Sequence, residues 1–271
     1  MGAHDEVTAH ELGNQWFQGM VGTHEVRWPM LDEGLTEWIT GDCLREIHGP
    51  SRSGASWPFP IDGFEIRRAV ALSGDTVPPP ATAAYGFPDG GYGRTIYFRT
   101  SSVLETVART WGRARIWRAL GRYANDHKFK HPVPDDLFRA FDAEYGSWMS
   151  RRILRPALFE NATAEHALDL PVLGAGRTRV TGTRTGGLRL PTRVRLRGSS
   201  GEHEVRWDGH QDALVVDVEG TYEIAEADPY RRNMLDPDRR NDAVALPEAR
   251  DDVGVGPFVA WFQTLIAWLG P

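Results

Sequence analysis

The spacing of apolar residues changes once along this chain, at about residue 165, and that change limits the folds open to it. Before it, apolar residues recur every three or four positions in 7–20, 30–47 and 103–120, which is the period of amphipathic helices. After it come short runs of alternating apolar and polar residues between glycine-rich turns, which indicate antiparallel strands. We therefore predict an α+β fold, in which a mostly α-helical domain is followed by a small antiparallel β-domain.

The predicted division is a helical domain over 1–160, a β-domain over 165–235 and a final segment over 236–271. The final segment begins as an irregular connector and ends in an apolar stretch at 258–269. This stretch is about eight residues too short for a membrane-spanning helix. We predict an amphipathic helix that docks on the protein or contacts a membrane surface, with a truncated spanning segment as a third alternative.

Composition and charge exclude several classes of protein. Apolar residues make up 41% and charged residues 25% of the 271 residues, so the chain can bury a core and is neither disordered nor collagen-like. The net charge of −6 gives no general attraction for nucleic acid, and we predict no nucleic-acid partner. Ten arginines against three acidic residues in 151–200 indicate a solvated β-surface, or alternatively a site for an anion or a membrane.

Two features bear on the cellular compartment. Cys43 is the only cysteine, so an intrachain disulfide is impossible and the redox environment stays open. Residues 1–5 lack the basic region of a signal peptide, and no apolar stretch follows them. We predict no signal peptide in this chain and leave the choice between cytoplasm and membrane surface open.

The most informative motif is His10-Glu11-Leu12-Gly13-Asn14, followed further along by Glu33. Residues i and i+4 share one face of a helix, and a zinc hydrolase places two metal ligands at this spacing. The glutamate directly after the first ligand then reaches the metal-bound water as a general base. His10 and Glu11 fit these two roles, and Glu33 on the next helix could supply a further ligand.

Residues 8–38 resemble the active-site helix pair of the M1 family of zinc aminopeptidases, the gluzincins. The family pattern is His-Glu-x-x-His, eighteen residues, and then Glu in an Asn/Asp-Glu-Gly context. Eighteen residues separate Asn14 from Glu33 here, and the flanking residues QWF and DEGL also match. The resemblance implies a thermolysin-like catalytic domain, a peptide substrate and one zinc ion, with His10, Asn14 and Glu33 at the metal positions.

The resemblance continues, more weakly, to about residue 245. Residues 93–112 are similar to the family helix that opens with a tyrosine, and Tyr97 falls on the tyrosine that hydrogen-bonds the oxyanion. The resemblance thus implies Glu11 and Tyr97 as catalytic residues; the alternative for Tyr97 is a packed core tyrosine. The β-rich part resembles the β-domain appended to the catalytic domain in bacterial members.

Two departures from the family pattern bear on activity. Asn14 stands where the family has its second histidine ligand, and an amide oxygen is a weak ligand for zinc. The sequence also contains no match to the Gly-x-Met-Glu-Asn strand with which the family grips the substrate's amino group. The resemblance therefore implies a further partner, either an N-terminal domain or a separate chain.

Two functions from different classes follow. The first is a zinc-dependent metallopeptidase of the M1 aminopeptidase type, which hydrolyses peptide bonds with a metal-activated water. The second is a non-catalytic gluzincin-like module that has lost its metal site and acts in binding or at a membrane. Position 14 discriminates between them, because only the first requires a bound metal. A split enzyme, active after mixing with a separate N-terminal chain, is a third possibility.

Overall fold

The chain divides into two compact units, Met1–Ala162 and Thr163–Pro271. Helices make up the first unit and antiparallel strands dominate the second, so the predicted α+β fold is confirmed. The finer division at 165–235 and 236–271 stays a prediction, and the apolar stretch 258–269 lies outside the described residues. The computed structural model describes residues 3–50, 61–74, 77–87, 90–247 and 249.

The described part of the first unit contains seven α-helices. They are α1 (Ala3–Asn14), α2 (Glu33–His48), α3 (Gly63–Ala71), α4 (Thr100–Trp111), α5 (Arg113–His127), α6 (Pro134–Tyr145) and α7 (Arg155–Phe159). Three π-helical segments adjoin them, at Gln15–Met20, Arg94–Arg99 and Ser150–Leu154. Short 3₁₀ turns lie at Pro29–Leu31 and Ala84–Gly86. None of the helices in the described ranges is long and apolar enough to cross a bilayer.

The three helical patterns of the sequence are present with two differences. The pattern at 103–120 forms two helices, because Gly112 between α4 and α5 has a φ of 106°. That conformation is readily accessible to glycine and interrupts the helical hydrogen bonding. The pattern at 7–20 is also composite, since α1 passes into a π-helical segment after Asn14.

Close packing of α2 brings the first unit's site residues together. Gly34, in the first turn of α2, lies so near the 94–99 segment that an added Cβ would be 2.5 Å from Thr100 Cγ2 and 2.8 Å from the Ile96 carbonyl oxygen. Leu35 and Trp38, on the same helix, are fully buried. A side chain at position 34 would push α2 away, so glycine there sets the distance between the two segments.

A buried carboxylate ties α2 to α4 and α5. Glu105 on α4 is fully buried and accepts hydrogen bonds from Trp38 Nε1 at 3.0 Å and Arg45 Nη1 at 3.1 Å. It also accepts bonds from Arg109 at 2.7 Å and Arg113 at 2.6 Å. Because one carboxylate holds groups from three helices, it fixes the frame in which α2 presents its site residues.

The second unit consists of two small antiparallel sheets. One has the order β1-β3-β2 with β6 also paired to β3, and the other has the order β5-β4-β7-β8. Residues along β3 alternate between exposed and buried, as the sequence pattern predicts, and Val180 of this strand joins a core that includes Leu196 and Trp207. The strands are β1 (Glu165–Leu168), β2 (Val172–Gly174), β3 (Arg177–Thr185), β4 (Thr192–Gly198), β5 (Gly201–Trp207), β6 (Ala213–Glu219), β7 (Ile224–Ala227) and β8 (Ala243–Ala245).

Candidate active site

The imidazole of His10 lies between two carboxylates of α2. Its Nε2 is 2.9 Å from Glu33 Oε2, and its Nδ1 is 3.2 Å from Glu37 Oε2. Glu33 and Glu37 are four residues apart and share one face of α2. The structure therefore brings His10 and Glu33 together, as the spacing of the motif predicts. Their role as metal ligands stays a prediction.

Tyr97 reaches the same point from the π-helical segment Arg94–Arg99. Its ring stacks on the imidazole of His10, with centroids 5.5 Å apart and planes 24° apart. Burial and an interaction of its hydroxyl with the carboxylate of Glu33 raise the pKa of the tyrosine. Short π-helical segments often occur at functional sites, since they change the direction in which side chains point. Tyr97 therefore lies in the cluster around His10, and its role towards an oxyanion stays a prediction.

Asn14 is the last residue of α1, one turn after His10. Its side chain helps to lower the pKa of Glu33, and its Oδ1 is buried and has no hydrogen-bond partner. An unpaired buried acceptor is unfavourable unless something else satisfies it. Asn14 thus offers a free oxygen at the position of the family's second histidine.

The remaining predicted residue, Glu11, follows His10 on α1, and its side chain is exposed to solvent. Its charge contributes to a strongly acidic environment around the buried Asp32. Burial raises the pKa of Asp32 to about 7, with further contributions from the negative charges of Glu33, Glu25 and Glu11. A cationic group of a ligand would be stabilised in these surroundings.

The contacts between these residues shift their pKa values in opposite directions. Burial alone would lower the pKa of His10, but its hydrogen bonds to Glu33 and Glu37 prevail and raise it to about 9. Burial would raise the pKa of Glu33, but hydrogen bonds from His10 and Tyr97 hold it below the usual value. Burial and the bond to Glu33 raise the pKa of Tyr97. The tyrosine therefore stays protonated at neutral pH and can act as a donor.

Two residues beside the predicted set complete the surroundings of His10. Glu37 is buried, and its Oε1 forms a 2.6 Å ion pair with Arg67 Nε of α3. Burial would raise the pKa of Glu37, but the contacts with His10 and Arg67 lower it. The spacing of Glu33 and Glu37 by one helical turn was a signal for Glu37. No sequence pattern connects Arg67 to the motif.

The possible donors to a metal at this point are two of the types that zinc prefers and one weak type. His10 Nε2 and Glu33 Oε2 are ligand types that zinc prefers, and the unpaired Asn14 Oδ1 is a weaker third. Within the described ranges, no group of three or more His, Cys, Asp or Glu side chains could hold a metal ion. Since Asn14 replaces a histidine, the site has two residues of those types where the family has three.

Comparison with known proteins identifies the family. The model of the peptidase family M1 domain matches residues 2–154, which is more than half of the chain. The chain belongs to peptidase family M1. The family predicted from the motif at His10–Asn14 and Glu33 is thus confirmed, and membership supports peptide-bond hydrolysis as the class of function. A comparison with curated proteins gave no match.

Solved structures support the fold. This M1 chain is similar to aminopeptidase A of Legionella pneumophila, whose crystal structure holds aspartic acid, with a TM-score of 0.56 and 17% sequence identity. The similarity covers 79% of this chain and 24% of that chain. The present chain therefore spans about a quarter of the length of that relative.

Proposed function

We propose that this chain is a metallopeptidase of the M1 aminopeptidase type, with its catalytic centre at His10, Glu11, Glu33 and Tyr97. The observation that carries the proposal is the contact of His10 with Glu33 beside Asn14, with the ring of Tyr97 stacked on His10. These residues come from three separate segments of the chain. Membership of a peptidase family supports the reaction class.

In this proposal, His10 and Glu33 hold one zinc ion and the free oxygen of Asn14 is the third, weaker ligand. A bound zinc ion supplies Lewis-acid polarisation of the scissile carbonyl and brings the pKa of water towards neutrality. The chain must release the proton on His10 Nε2 before this nitrogen can act as a ligand, because only a free lone pair binds metal.

Glu11 is the proposed general base. It directly follows His10 on α1, and its exposed carboxylate is free to take a proton from the attacking water. It then passes that proton to the leaving amine, which departs as a neutral group. A glutamate that does both steps must be next to the reacting atoms, and the residue after the first ligand meets that requirement.

Tyr97 is the proposed donor to the oxyanion. Its hydroxyl keeps its proton because burial and Glu33 raise its pKa. A neutral donor near a developing negative charge stabilises the transition state more than the ground state, by about 3 kcal/mol for one such donor. The acidic groups Glu11, Glu25 and Asp32 further favour a substrate with a positively charged amino group, as in an aminopeptidase.

One observation favours the alternative, a non-catalytic binding or membrane-associated M1 module. The 2.9 Å separation of His10 Nε2 and Glu33 Oε2 is that of a hydrogen bond, and the third ligand position holds an amide. His10 and Glu33 thus satisfy each other without a metal, and Asn14 Oδ1 is the atom left unpaired. In this case the chain keeps the M1 fold in order to bind a partner, and the residues of the site only stabilise that fold.

Hydrolysis of aminoacyl p-nitroanilides by three matched chains tests the proposal. We expect zinc-dependent turnover in the unaltered chain, a large gain in Asn14→His, and loss in Glu11→Gln despite unchanged zinc content. The Glu11→Gln variant excludes a contaminating peptidase, since that activity would persist in it. If both the unaltered chain and Asn14→His bind zinc and neither hydrolyses the substrate, the proposed function is contradicted.

A further inference from the structure

Glu37 contacts the imidazole of His10 on the side opposite Glu33, and no role has so far been given to it. We propose that Glu37, held by Arg67, is a positioning residue that fixes the His10 ring so that Nε2 faces Glu33 and Asn14. This inference rests on the proposed function in one respect, namely that Nε2 is a metal ligand. The orientation of the ring can nevertheless be measured without any metal.

The contact between Glu37 and His10 selects one ring orientation. Glu37 Oε2 lies 3.2 Å from Nδ1, and the carboxylate is only 4% exposed. A 180° rotation of the imidazole would place a carbon opposite Glu37 and leave a buried carboxylate oxygen without its donor. Because buried unpaired groups are strongly disfavoured, the ring keeps Nδ1 towards Glu37 and Nε2 towards Glu33.

Arg67 in turn fixes the carboxylate of Glu37. Its Nε lies 2.6 Å from Glu37 Oε1 in an ion pair, and its Nη2 donates a 2.7 Å hydrogen bond to Glu6 Oε1. Oε2 of Glu37 thus faces His10 and Oε1 faces Arg67, and rotation of the carboxylate would end one of these two close approaches. Arg67 is itself 3% exposed, and its long side chain is confined.

The helices place these groups in one row of alternating charge. Glu6 and His10 are four residues apart on α1, and Glu33 and Glu37 are four residues apart on α2, so each pair shares a helical face. Arg67 of α3 contacts both Glu37 of α2 and Glu6 of α1, so it links these two helices on the side away from Glu33. Glu37 lies between Arg67 and His10, and without its carboxylate these two residues would have no common partner.

A carboxylate on the second ring nitrogen has a known effect on a histidine ligand. It fixes the tautomer and the ring direction, and it makes the metal-facing nitrogen more basic. Removal of such a partner typically lowers metal affinity by about 10- to 100-fold. In this chain the loss of metal affinity should matter more, because Asn14 is a weak ligand and the site depends on its two strong ligands.

Two measurements on the full chain test the inference, in the unaltered protein and in Glu37→Ala, Glu37→Gln and Arg67→Met. The first is ¹H–¹⁵N NMR of the metal-free protein, which reports whether the His10 Nδ1–H is protected from exchange with water. The second is zinc affinity by competition with a chromophoric chelator, in the unaltered and Asn14→His backgrounds. Glu65→Ala is the matched control, because Glu65 is a mostly buried α3 carboxylate paired with Arg68 and Arg109.

We expect Glu37→Ala to lose the protected Nδ1–H and to bind zinc about 10- to 100-fold more weakly. Glu37→Gln, whose amide oxygen still accepts a hydrogen bond, should partly restore both, and Arg67→Met should show a smaller loss. Glu65→Ala should change neither. A protected Nδ1–H in Glu37→Ala, or affinity losses equal to those of Glu65→Ala, would overturn the inference. If neither background binds zinc, the proposed function fails while the Nδ1–H signal still decides the role of Glu37.

Discussion

Nε2 of His10 lies 2.9 Å from Oε2 of Glu33, although 23 positions separate the two residues in the chain. The contact joins α1 to α2 and gives a hydrogen bond between the two strongest metal-ligand types of the site. Gly34, next to Glu33, lets α2 approach the π-helical segment that carries Tyr97. The arrangement of the site thus follows from helix packing as much as from the residues of the motif.

We expect Gly34→Ala to destabilise the first unit and to reduce the contact between Tyr97 and Glu33. The new methyl group would overlap Thr100 and the Ile96 carbonyl oxygen, and backbone cannot yield as a flexible side chain does. Urea denaturation and tyrosine NMR measure the two effects. Gly121→Ala in α5 is the control, because its added Cβ meets nothing within 4 Å and should stabilise the helix by about 0.5–1 kcal/mol. Equal effects of the two substitutions would contradict this account.

Tyr97→Phe should lower kcat by about 10²- to 10³-fold while zinc content and stability stay near those of the unaltered chain. The reason is that the phenyl ring still stacks on His10 but lacks the hydroxyl that donates to the oxyanion. Kinetics on an aminoacyl p-nitroanilide give the result. Tyr92→Phe is a suitable control, since this ring lies edge-on to Tyr97 with centroids 6.2 Å apart. An unchanged kcat in Tyr97→Phe would show that the tyrosine hydroxyl takes no part in catalysis.

Glu105→Gln should lower the free energy of unfolding by about 3–5 kcal/mol, because it leaves three arginine side chains around an uncharged buried group. Equilibrium urea denaturation measures the change. Glu144→Gln is a useful comparison, since it loses ion pairs with Arg115 and Arg118 nearer the surface and should have a small effect. A small loss in Glu105→Gln would show that the buried cluster does not hold α2, α4 and α5 together.

The second unit should lose stability in mild acid through His166. Burial lowers the pKa of this histidine from 6.5 to about 4, so the unfolded chain binds its proton more readily than the folded chain. Stability from His166 is therefore complete above about pH 6.5 and falls as pH decreases towards 4. Asp236 acts in the opposite sense, since burial raises its pKa to about 6.

Comparison with a chain that lacks the His166 titration isolates its contribution. We expect the unfolding free energy of the unaltered chain, relative to His166→Gln, to decrease between pH 6.5 and 4.5 in urea denaturation. Asp236 is present in both chains, so most of its effect is common to them. The same substitution at the exposed His210 is the control. If the difference in unfolding free energy between the unaltered and His166→Gln chains does not change with pH, His166 is not a histidine that burial keeps neutral.

The sequence predicted the parts of the site that depend on local spacing. The i, i+4 relation placed His10 and Asn14 on one face, and the eighteen-residue interval indicated Glu33. Tyr97 came from family resemblance, because nothing local to residues 94–99 shows that the segment is π-helical and faces Glu33. Such tertiary placement depends on packing against α2.

Other features could not be obtained from the sequence for physical reasons. Arg67 lies on α3, more than thirty positions after Glu33, and only the packing of three helices brings it to Glu37. The break between α4 and α5 depends on the backbone conformation of Gly112, which an amphipathic pattern does not report. The unpaired Oδ1 of Asn14 likewise follows from burial and not from residue type.

The zinc content of the chain purified without chelator, measured beside Asn14→His prepared in the same way, decides whether position 14 still permits a metal site. Asn125→His, which adds a histidine at an exposed position of α5, controls for nonspecific binding. The proposed metallopeptidase should contain close to one zinc per unaltered chain, lost more readily to chelator than from Asn14→His. Zinc in the Asn14→His chain alone would contradict it and favour an M1 module that binds without catalysis.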